Sequence, residues 1–197
     1  MSSYPAPAGE GWGEIREKGS RFLAWIGPAA GEEAARAALD GLARRYPDAT
    51  HHCWAWRLGS PPRERSADAG EPSGTAGVPI LQVLRGAGLS DVLAVVVRWY
   101  GGTKLGKGGL ARAYAGAARE ALATLPVVRR VPTVRIAVEV PYERVGAVKR
   151  LIHPPEVELE SEAYGAAARL ALVVHEERRA ALLDALADLG ITGNALP

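Results

Sequence analysis

A glycine-rich segment spanning residues 98–112 has the residue types best suited to binding chemistry. It reads RWYGGTKLGKGGLAR and follows an apolar run at residues 92–97. Glycines let backbone N–H groups approach a ligand closely, and a helix start carries partial positive charge. Residues 92–119 hold no acidic side chain and five basic ones, namely Arg98, Lys104, Lys107, Arg112 and Arg119. The segment therefore predicts a site for an anion such as phosphate.

The same segment nearly matches the nucleotide-binding loop GxxxxGK followed by Ser or Thr. Gly108 stands where the hydroxyl residue that binds Mg²⁺ should be, so we do not expect a nucleoside triphosphatase. Two interpretations remain open. The loop binds an anion, or its glycines form only a tight strand-to-helix turn with solvated lysines.

Three neighbouring residues, His51, His52 and Cys53, raise the question of a metal site. On a strand, His51 and Cys53 face one side and His52 the other, whereas zinc needs three or four convergent ligands. We therefore expect no metal and no cofactor. His51 is interpreted as a polar site residue and Cys53 as a small core residue.

Residues 66–77 form a polar loop that gathers Asp68, Glu71, Ser73 and Thr75. A carboxylate beside hydroxyls could support acid–base or nucleophilic chemistry, but no catalytic triad motif accompanies it. Asp, Ser and Thr are also ordinary turn and cap residues. Glu71 or Asp68 could equally form an ion pair with Arg98 or Lys104.

The elements that must position these residues follow from hydrophobic periodicity and turn signals. For the first part we predict a strand at 13–26, a helix at 31–46, a strand at 51–58, a loop at 59–77, a short helix at 79–84, a strand at 92–100 and a helix after the loop. Residues 126–132 are a plausible domain joint.

Beyond the joint, the periodicity predicts the order strand, helix, strand, strand, helix. This order lacks only the last strand of a ferredoxin-like unit, and residues 191–197 are short for it, so this strand is left open. Glutamates alternate at 156, 158, 160 and 162, which predicts one acidic strand face and a poor nucleic-acid platform.

Composition restricts the class of protein. The chain has 197 residues, 48% of them hydrophobic, and a single cysteine. No apolar run reaches the roughly 20 residues that span a bilayer, and no secretion signal is recognised. We expect a cytoplasmic protein without membrane contact. Asn, Gln, Met and Cys each occur once, and this scarcity of thermolabile residues is compatible with a thermophile. A GC-rich genome would also produce the bias toward Arg and Ala.

The net charge of +2 is distributed unevenly. Residues 1–132 carry 17 basic and 12 acidic side chains, or +5, whereas residues 133–197 carry 7 and 10, or −3. A polyanion should therefore prefer the first part of the chain.

Four motifs together resemble the YigZ/IMPACT family. They lie at residues 18–22, 50–55, 70–77 and 98–114. The resemblance implies an α+β fold with two domains. Residues 1–130 would form a two-layer α/β domain like those of ribosomal proteins and elongation factor G, and residues 131–197 a ferredoxin-like β-α-β-β-α-β domain. Eukaryotic relatives regulate translation through an extra N-terminal domain, for which these 197 residues leave no room.

The resemblance also implies RNA or ribosome binding for the bacterial members. We expect a non-enzymatic protein that binds RNA or a ribosomal surface through its first domain. The phosphate contacts are assigned to Lys18, Arg21, Arg98, Lys104, Lys107 and Arg112. Stacking is assigned to His51, Trp99 and Tyr100, and supporting roles to Asp68, Glu71, Ser73 and Thr75.

Two alternatives belong to other classes. The first is an enzyme that acts on a small phosphorylated ligand at the same loop, with Asp68 or Glu71 as acid–base. Family members often carry two consecutive acids where this chain has Asp68 and Ala69, which weakens a mechanism that needs a carboxylate pair. The second is a protein-interaction scaffold in translation control. If the protein is an enzyme, we expect an enclosed pocket. If it binds RNA, we expect an open basic groove, and if it is a scaffold, we expect an exposed apolar patch. The oligomeric state is left open.

Overall fold

The computed structural model describes residues 3–196. They form two compact units, Ser3–Arg130 and the residues from Val131 onward. No helix among these residues is long and apolar enough to cross a membrane.

The first unit is built on a five-stranded antiparallel sheet. Its elements in chain order are β1 (Tyr4–Pro7), β2 (Gly11–Glu17), β3 (Ser20–Pro28), α1 (Glu32–Arg45), β4 (His51–Leu58), β5 (Arg63–Ala67), α2 (Gly77–Gly86), β6 (Val92–Trp99), α3 (Gly106–Ala123) and β7 (Val127–Arg130). The strand order is β2-β3-β6-β4-β5, and β1 pairs separately with β7. Tyr4 of β1 donates its hydroxyl to Asp91 Oδ2 at 2.5 Å.

Both faces of this sheet are covered. The central strand β6 is buried over residues 92–98, because its alternate side chains enter two different cores. Val96 packs with α2 and α3 on one face, and Val95 packs with Ala35 and Leu42 of α1 on the other. The predicted α+β class is confirmed. The two-layer description is one layer short, because α1 forms a third.

Several element predictions for the first unit are wrong in detail. The single strand at 13–26 is a hairpin, with β2 and β3 joined at Lys18 and Gly19, whose φ values are 47° and 79°. The loop at 59–77 contains β5, whose polar sequence suits the edge of a sheet. The boundary between the two units, after Arg130, falls inside the segment 126–132 that we predicted as a joint, but this segment also contains β7, which pairs with β1 far away in the chain.

The second unit is a four-stranded antiparallel sheet with two helices on one face. Its elements are β8 (Thr133–Val140), α4 (Val145–Lys149), β9 (Val157–Tyr164), β10 (Ala168–His175), α5 (Arg179–Asp188) and β11 (Gly193–Leu196). Short 3-10 turns precede both helices. The order β11-β8-β10-β9 is that of a ferredoxin-like fold. The last strand, left open from the sequence, forms and pairs with β8.

The glutamates of β9 do not share one face, contrary to our prediction. Ser161 pairs with Ala171, but Leu159 pairs with the next residue, so Glu160 is the extra residue of a β-bulge. A one-residue shift moves later side chains to the opposite face. Glu162 therefore lies on the helix side of the sheet, where its carboxylate contacts Lys149 Nζ of α4 at 2.6 Å.

Candidate nucleic-acid interface

A buried polar cluster lies at the end of the sheet where the glycine-rich loop begins. Strand register places His51 of β4, Arg98 of β6 and Phe22 of β3 side by side on the face toward α2 and α3. Arg98 is only 5% exposed. Its guanidinium donates to Glu71 Oε1 at 2.5 Å and to Ser20 Oγ at 3.2 Å. Arg98 is therefore held inside the fold.

Glu71 connects three parts of the first unit. Its Oε1 accepts from Arg98 of β6 and also from the hydroxyl of Tyr114 in α3, at 2.7 Å. His51 lies at the border of the cluster, with Nε2 3.9 Å from the same oxygen. His51 Nδ1 is 2.9 Å from the Ala69 carbonyl. A carbonyl can only accept, so we assign the imidazole proton to Nδ1.

Asp68 organises the polar loop through backbone contacts. Its Oδ2 accepts from the Gly74 N–H at 2.8 Å. Its Oδ1 accepts from the N–H groups of Ala76 and Gly77, both at 2.9 Å, at the start of α2. Partial burial raises the pKa of the Asp68 carboxyl, but these three donors outweigh it and hold the pKa below its usual value. Asp68 therefore acts as a cap.

Two other residues of this loop differ in their surroundings. Thr75 is buried and donates its hydroxyl to the Pro72 carbonyl at 2.6 Å. Ser73 is exposed. Both hydroxyls lie in the loop that Asp68 holds in shape through its contacts with backbone N–H groups. Ser73 and Thr75 are therefore ordinary turn residues.

The glycine-rich loop lies directly against the β2–β3 hairpin. A Cβ atom at Gly101 would lie 1.9 Å from the Gly19 carbonyl carbon, so only glycine fits there. The Gly101 N–H also donates to Ser20 Oγ at 3.2 Å. This close approach places Lys18, at the tip of the hairpin, beside the loop.

Four basic side chains surround this junction, and we refer to them as the basic surface: Lys18, Lys104, Lys107 and Arg112. All four are exposed, and none forms an ion pair with another side chain among residues 3–196. Lys18 and Arg112 line a depression of about 340 Å³ together with Glu17, Leu105 and Gly109. The first turn of α3 contains no acidic residue and no side-chain cap, so its N–H groups add partial positive charge.

Three predicted members lie away from the basic surface. Arg98 is buried in the ion pair with Glu71. Arg21 faces the α1 side of the sheet, with its guanidinium 4.6 Å from the centre of the Trp99 ring and 2.8 Å from Glu14. Trp99 donates its indole N–H to Asp48 at 2.9 Å. Successive strand residues point to opposite faces, which separates Arg98 from Trp99.

The stacking candidates are also separated. Tyr100 is 46% exposed, and its ring centre lies 5.4 Å from the Arg98 guanidinium carbon. His51 is half-buried. Only Tyr100 therefore combines an exposed ring with a place next to the basic loop.

The adjacent residues of the 51–53 segment face different surroundings. His52 contacts the Tyr46 carbonyl at 3.1 Å, and Cys53 donates its thiol to the Asp68 carbonyl at 2.9 Å. Burial raises the pKa of the Cys53 thiol to about 12. Within residues 3–196, no group of three or more His, Cys, Asp or Glu side chains is arranged to hold a metal.

Two members of the cluster were not assigned from the sequence, Tyr114 and Ser20. Tyr114 is completely buried in an alanine-rich stripe of α3. A single hydroxyl in such a stripe is a signal that a polar partner lies opposite, because a buried Tyr O–H usually finds an acceptor. Ser20 offers no comparable signal.

Comparison with known families matches residues 18–122 to the Impact N-terminal domain. The chain belongs to the IMPACT family. The family prediction is confirmed, and the matched region includes every site residue assigned above. IMPACT family member YigZ of Escherichia coli (strain K12) is 38% identical to this chain over 155 residues, which cover 77% of this chain and 76% of that protein.

Another relative and a solved structure are also similar to this chain. The IMPACT family member in pol 5'region of Thermus thermophilus is 48% identical over 145 residues, which cover 74% of this chain and 78% of that protein. A crystal structure described as that of a hypothetical protein matches with a TM-score of 0.75 and 32% identity. It covers 100% of this chain and 98% of its own, so the similarity to this solved structure includes both units.

Proposed function

We propose that this IMPACT family protein binds RNA, either free or as part of a ribosomal surface, through the basic surface of its first unit. The observation that carries the proposal is the set of four exposed, unpaired cations around the uncapped start of α3. Unpaired cations release counterions from a phosphate backbone, which is the main source of sequence-independent affinity.

The surroundings of these cations support binding to a chain of phosphates. The depression lies between the exposed side chains of Lys18 and Arg112, and Tyr100 offers an exposed ring at the other end of the loop. Bases stack on such rings with about 1–3 kcal/mol per base. A flexible single strand can use both features at once.

The structural roles of the carboxylates favour binding over acid–base catalysis. Asp68 uses both of its oxygens on backbone N–H groups, and Glu71 shares one oxygen between Arg98 and Tyr114.

Charge reversal tests the proposal. A double variant, Lys104→Glu with Lys107→Glu, should abolish binding to fluorescein-labelled single-stranded RNA and to purified ribosomal subunits at moderate salt. The matched control is Arg119→Glu with Arg150→Glu, which has the same charge change at exposed positions outside the basic surface. In the wild type, four phosphate contacts predict that log affinity falls with log salt with a slope of about −3.

The Lys104/Lys107 variant and its control together distinguish RNA binding at the basic surface from the enzyme alternative. Unchanged affinity in the Lys104/Lys107 variant, or an equal loss in the control, would contradict binding at the basic surface. A small phosphorylated ligand that binds there while RNA does not would favour the enzyme instead.

A further inference from the structure

All five tryptophans of the chain lie on the same face of the first sheet. Trp12 pairs with Trp25, Trp54 and Trp25 both oppose Val95, and Trp56 opposes Leu93. Trp99 has the same parity as Val95 in β6. Residues opposite one another in antiparallel strands share a face, and this face is the one covered by α1.

A single alanine-rich helix does not fill the space above this face. The α1 side chains that pack inward include Ala35, Ala38 and Leu39. They leave a cavity of about 500 Å³ between α1 and β4, with Trp54, Trp56 and Leu93 at its floor. A volume of this size lies within the usual range for ligand pockets, about 300–1,000 Å³.

The same face shows how the molecule covers its other half-exposed indoles. The Arg21 guanidinium lies 4.6 Å from the Trp99 ring centre and contacts Glu14 at 2.8 Å. The Arg45 guanidinium lies 5.2 Å from the Trp12 ring centre. Among residues 3–196, no Arg or Lys occupies the corresponding position over Trp54.

In the Arg21–Trp99 contact a carboxylate, Glu14, binds the guanidinium that covers the indole. The rim of the cavity next to Trp54 also carries carboxylates. Glu33 and Asp40 lie seven residues apart on α1, on the same side of the helix, and both border the cavity. Both are exposed, and neither forms an ion pair with a described side chain. Glu32, also at the rim, is engaged with Arg63 at 2.8 Å.

We propose that this cavity binds an arginine side chain of a partner protein, with the guanidinium stacked on Trp54 and held by Glu33 and Asp40. An indole ring attracts a cation through its quadrupole, and Arg is the cation that most often stacks in this way. The site lies on the opposite face of the sheet from the α3 side chains that form the core beneath the basic surface, and does not depend on RNA binding.

Two further rim residues limit which arginine fits. Arg36 and Arg65 border the same cavity, and neither forms an ion pair with a described side chain. They repel a run of basic residues and attract neighbouring carboxylates. The ligand class is therefore an arginine flanked by acidic residues, in an exposed peptide segment.

Nuclear magnetic resonance of the five indole N–H groups tests the site in the full chain. The probes are the acetylated and amidated tripeptide Glu-Arg-Glu and the same peptide with citrulline, which keeps the shape of arginine without its charge. The arginine peptide should shift the Trp54 and Trp56 signals saturably, and the citrulline peptide should bind at least fivefold more weakly. Each signal is assigned from the corresponding Trp→Phe variant.

Variants locate the binding groups. Glu33→Gln with Asp40→Asn should weaken binding at least fivefold, while the other indole signals stay in place and report an intact fold. The matched control, Glu143→Gln with Asp188→Asn, removes two exposed carboxylates from the second unit and should leave binding unchanged. Equal binding of the two peptides, shifts confined to Trp12 or Trp99, or an unaffected Glu33/Asp40 variant would each overturn the proposal.

Discussion

Arg98 donates through Nη1 to Oε1 of Glu71 at 2.5 Å, and both side chains are almost completely shielded from solvent. The pair joins the end of β6 to the loop that precedes α2. Tyr114 adds a hydrogen bond from α3 to the same oxygen. The two elements that flank the glycine-rich loop, β6 and α3, therefore bind the same carboxylate.

Removing this carboxylate should cost a large part of the stability of the first unit. Glu71→Ala leaves the Arg98 guanidinium buried without its counter-charge, and such a change typically costs about 3–5 kcal/mol. Tyr114→Phe removes only one hydrogen bond to a charged group and should cost about 1.5–3 kcal/mol. Denaturant unfolding measures both values. A Glu71→Ala variant as stable as Tyr114→Phe would show that the ion pair is not needed.

The sequence predicts part of this arrangement, since a pairing of Glu71 with Arg98 is among the alternatives that it leaves open. It cannot select that pairing, because the face of the sheet to which a side chain points depends on strand register. Arg98 and Trp99 are neighbours in a basic, aromatic segment, yet one points into the α2 and α3 core and the other toward α1. Their separation follows from the pairing of β6 with β3 and β4, which no local pattern contains.

The missed elements have the same physical origin. The pairing of β1 with β7 brings together residues more than 100 positions apart, and neither segment has a strong strand pattern of its own. The bulge at Glu160 is set by the neighbouring strand β10. The helix α1 and the strand β6 were predicted correctly, because the helical spacing of one and the unbroken apolar run of the other are local signals.

Asp68 should stabilise the first unit in a pH-dependent way. Its pKa is lower in the folded protein than in the unfolded chain, so its contribution is complete above the unfolded value of about 4 and is lost as pH falls through the folded value. Asp68→Asn directs an amide N–H₂ at a backbone N–H and should cost about 1–3 kcal/mol at pH 7. The difference from wild type should narrow below about pH 4.

Ser73→Ala is the matched control for this variant, because Ser73 is an exposed residue of the same loop. Its unfolding free energy should stay within about 0.5 kcal/mol of wild type at every pH. Unfolding curves measured from pH 3 to pH 7 test both variants. A stability difference for Asp68→Asn that is constant over this range would contradict a cap that depends on the ionised carboxylate.

Cys53 should be unreactive in the folded protein. Its side chain is fully buried, and burial raises the pKa of the thiol to about 12, so almost no thiolate is present at pH 8. Iodoacetamide should therefore label the protein only when urea unfolds the first unit. Because Cys53 is the single cysteine of the chain, mass spectrometry gives an unambiguous reading. Rapid labelling without urea would contradict the packing around β4.

Two glycine-to-alanine variants separate the effect of a steric clash on stability from the general effect of replacing glycine. In Gly101→Ala, the new Cβ would lie 1.9 Å from the Gly19 carbonyl carbon, so the glycine-rich loop and the β2–β3 hairpin must move apart. Such overpacking should cost about 1–3 kcal/mol. Gly41→Ala in α1 meets nothing within 4 Å, and should stabilise the protein by about 0.5–1 kcal/mol because alanine is the better helix former.

The same two variants connect the loop contact to binding. If Lys18 reaches RNA because its hairpin rests on Gly101, Gly101→Ala should also lower RNA affinity severalfold at a temperature where the variant is still folded. Gly41→Ala should leave the affinity unchanged. Fluorescence anisotropy with labelled RNA measures both. Wild-type affinity in a destabilised Gly101→Ala protein would separate the hairpin from the binding surface and remove Lys18 from it.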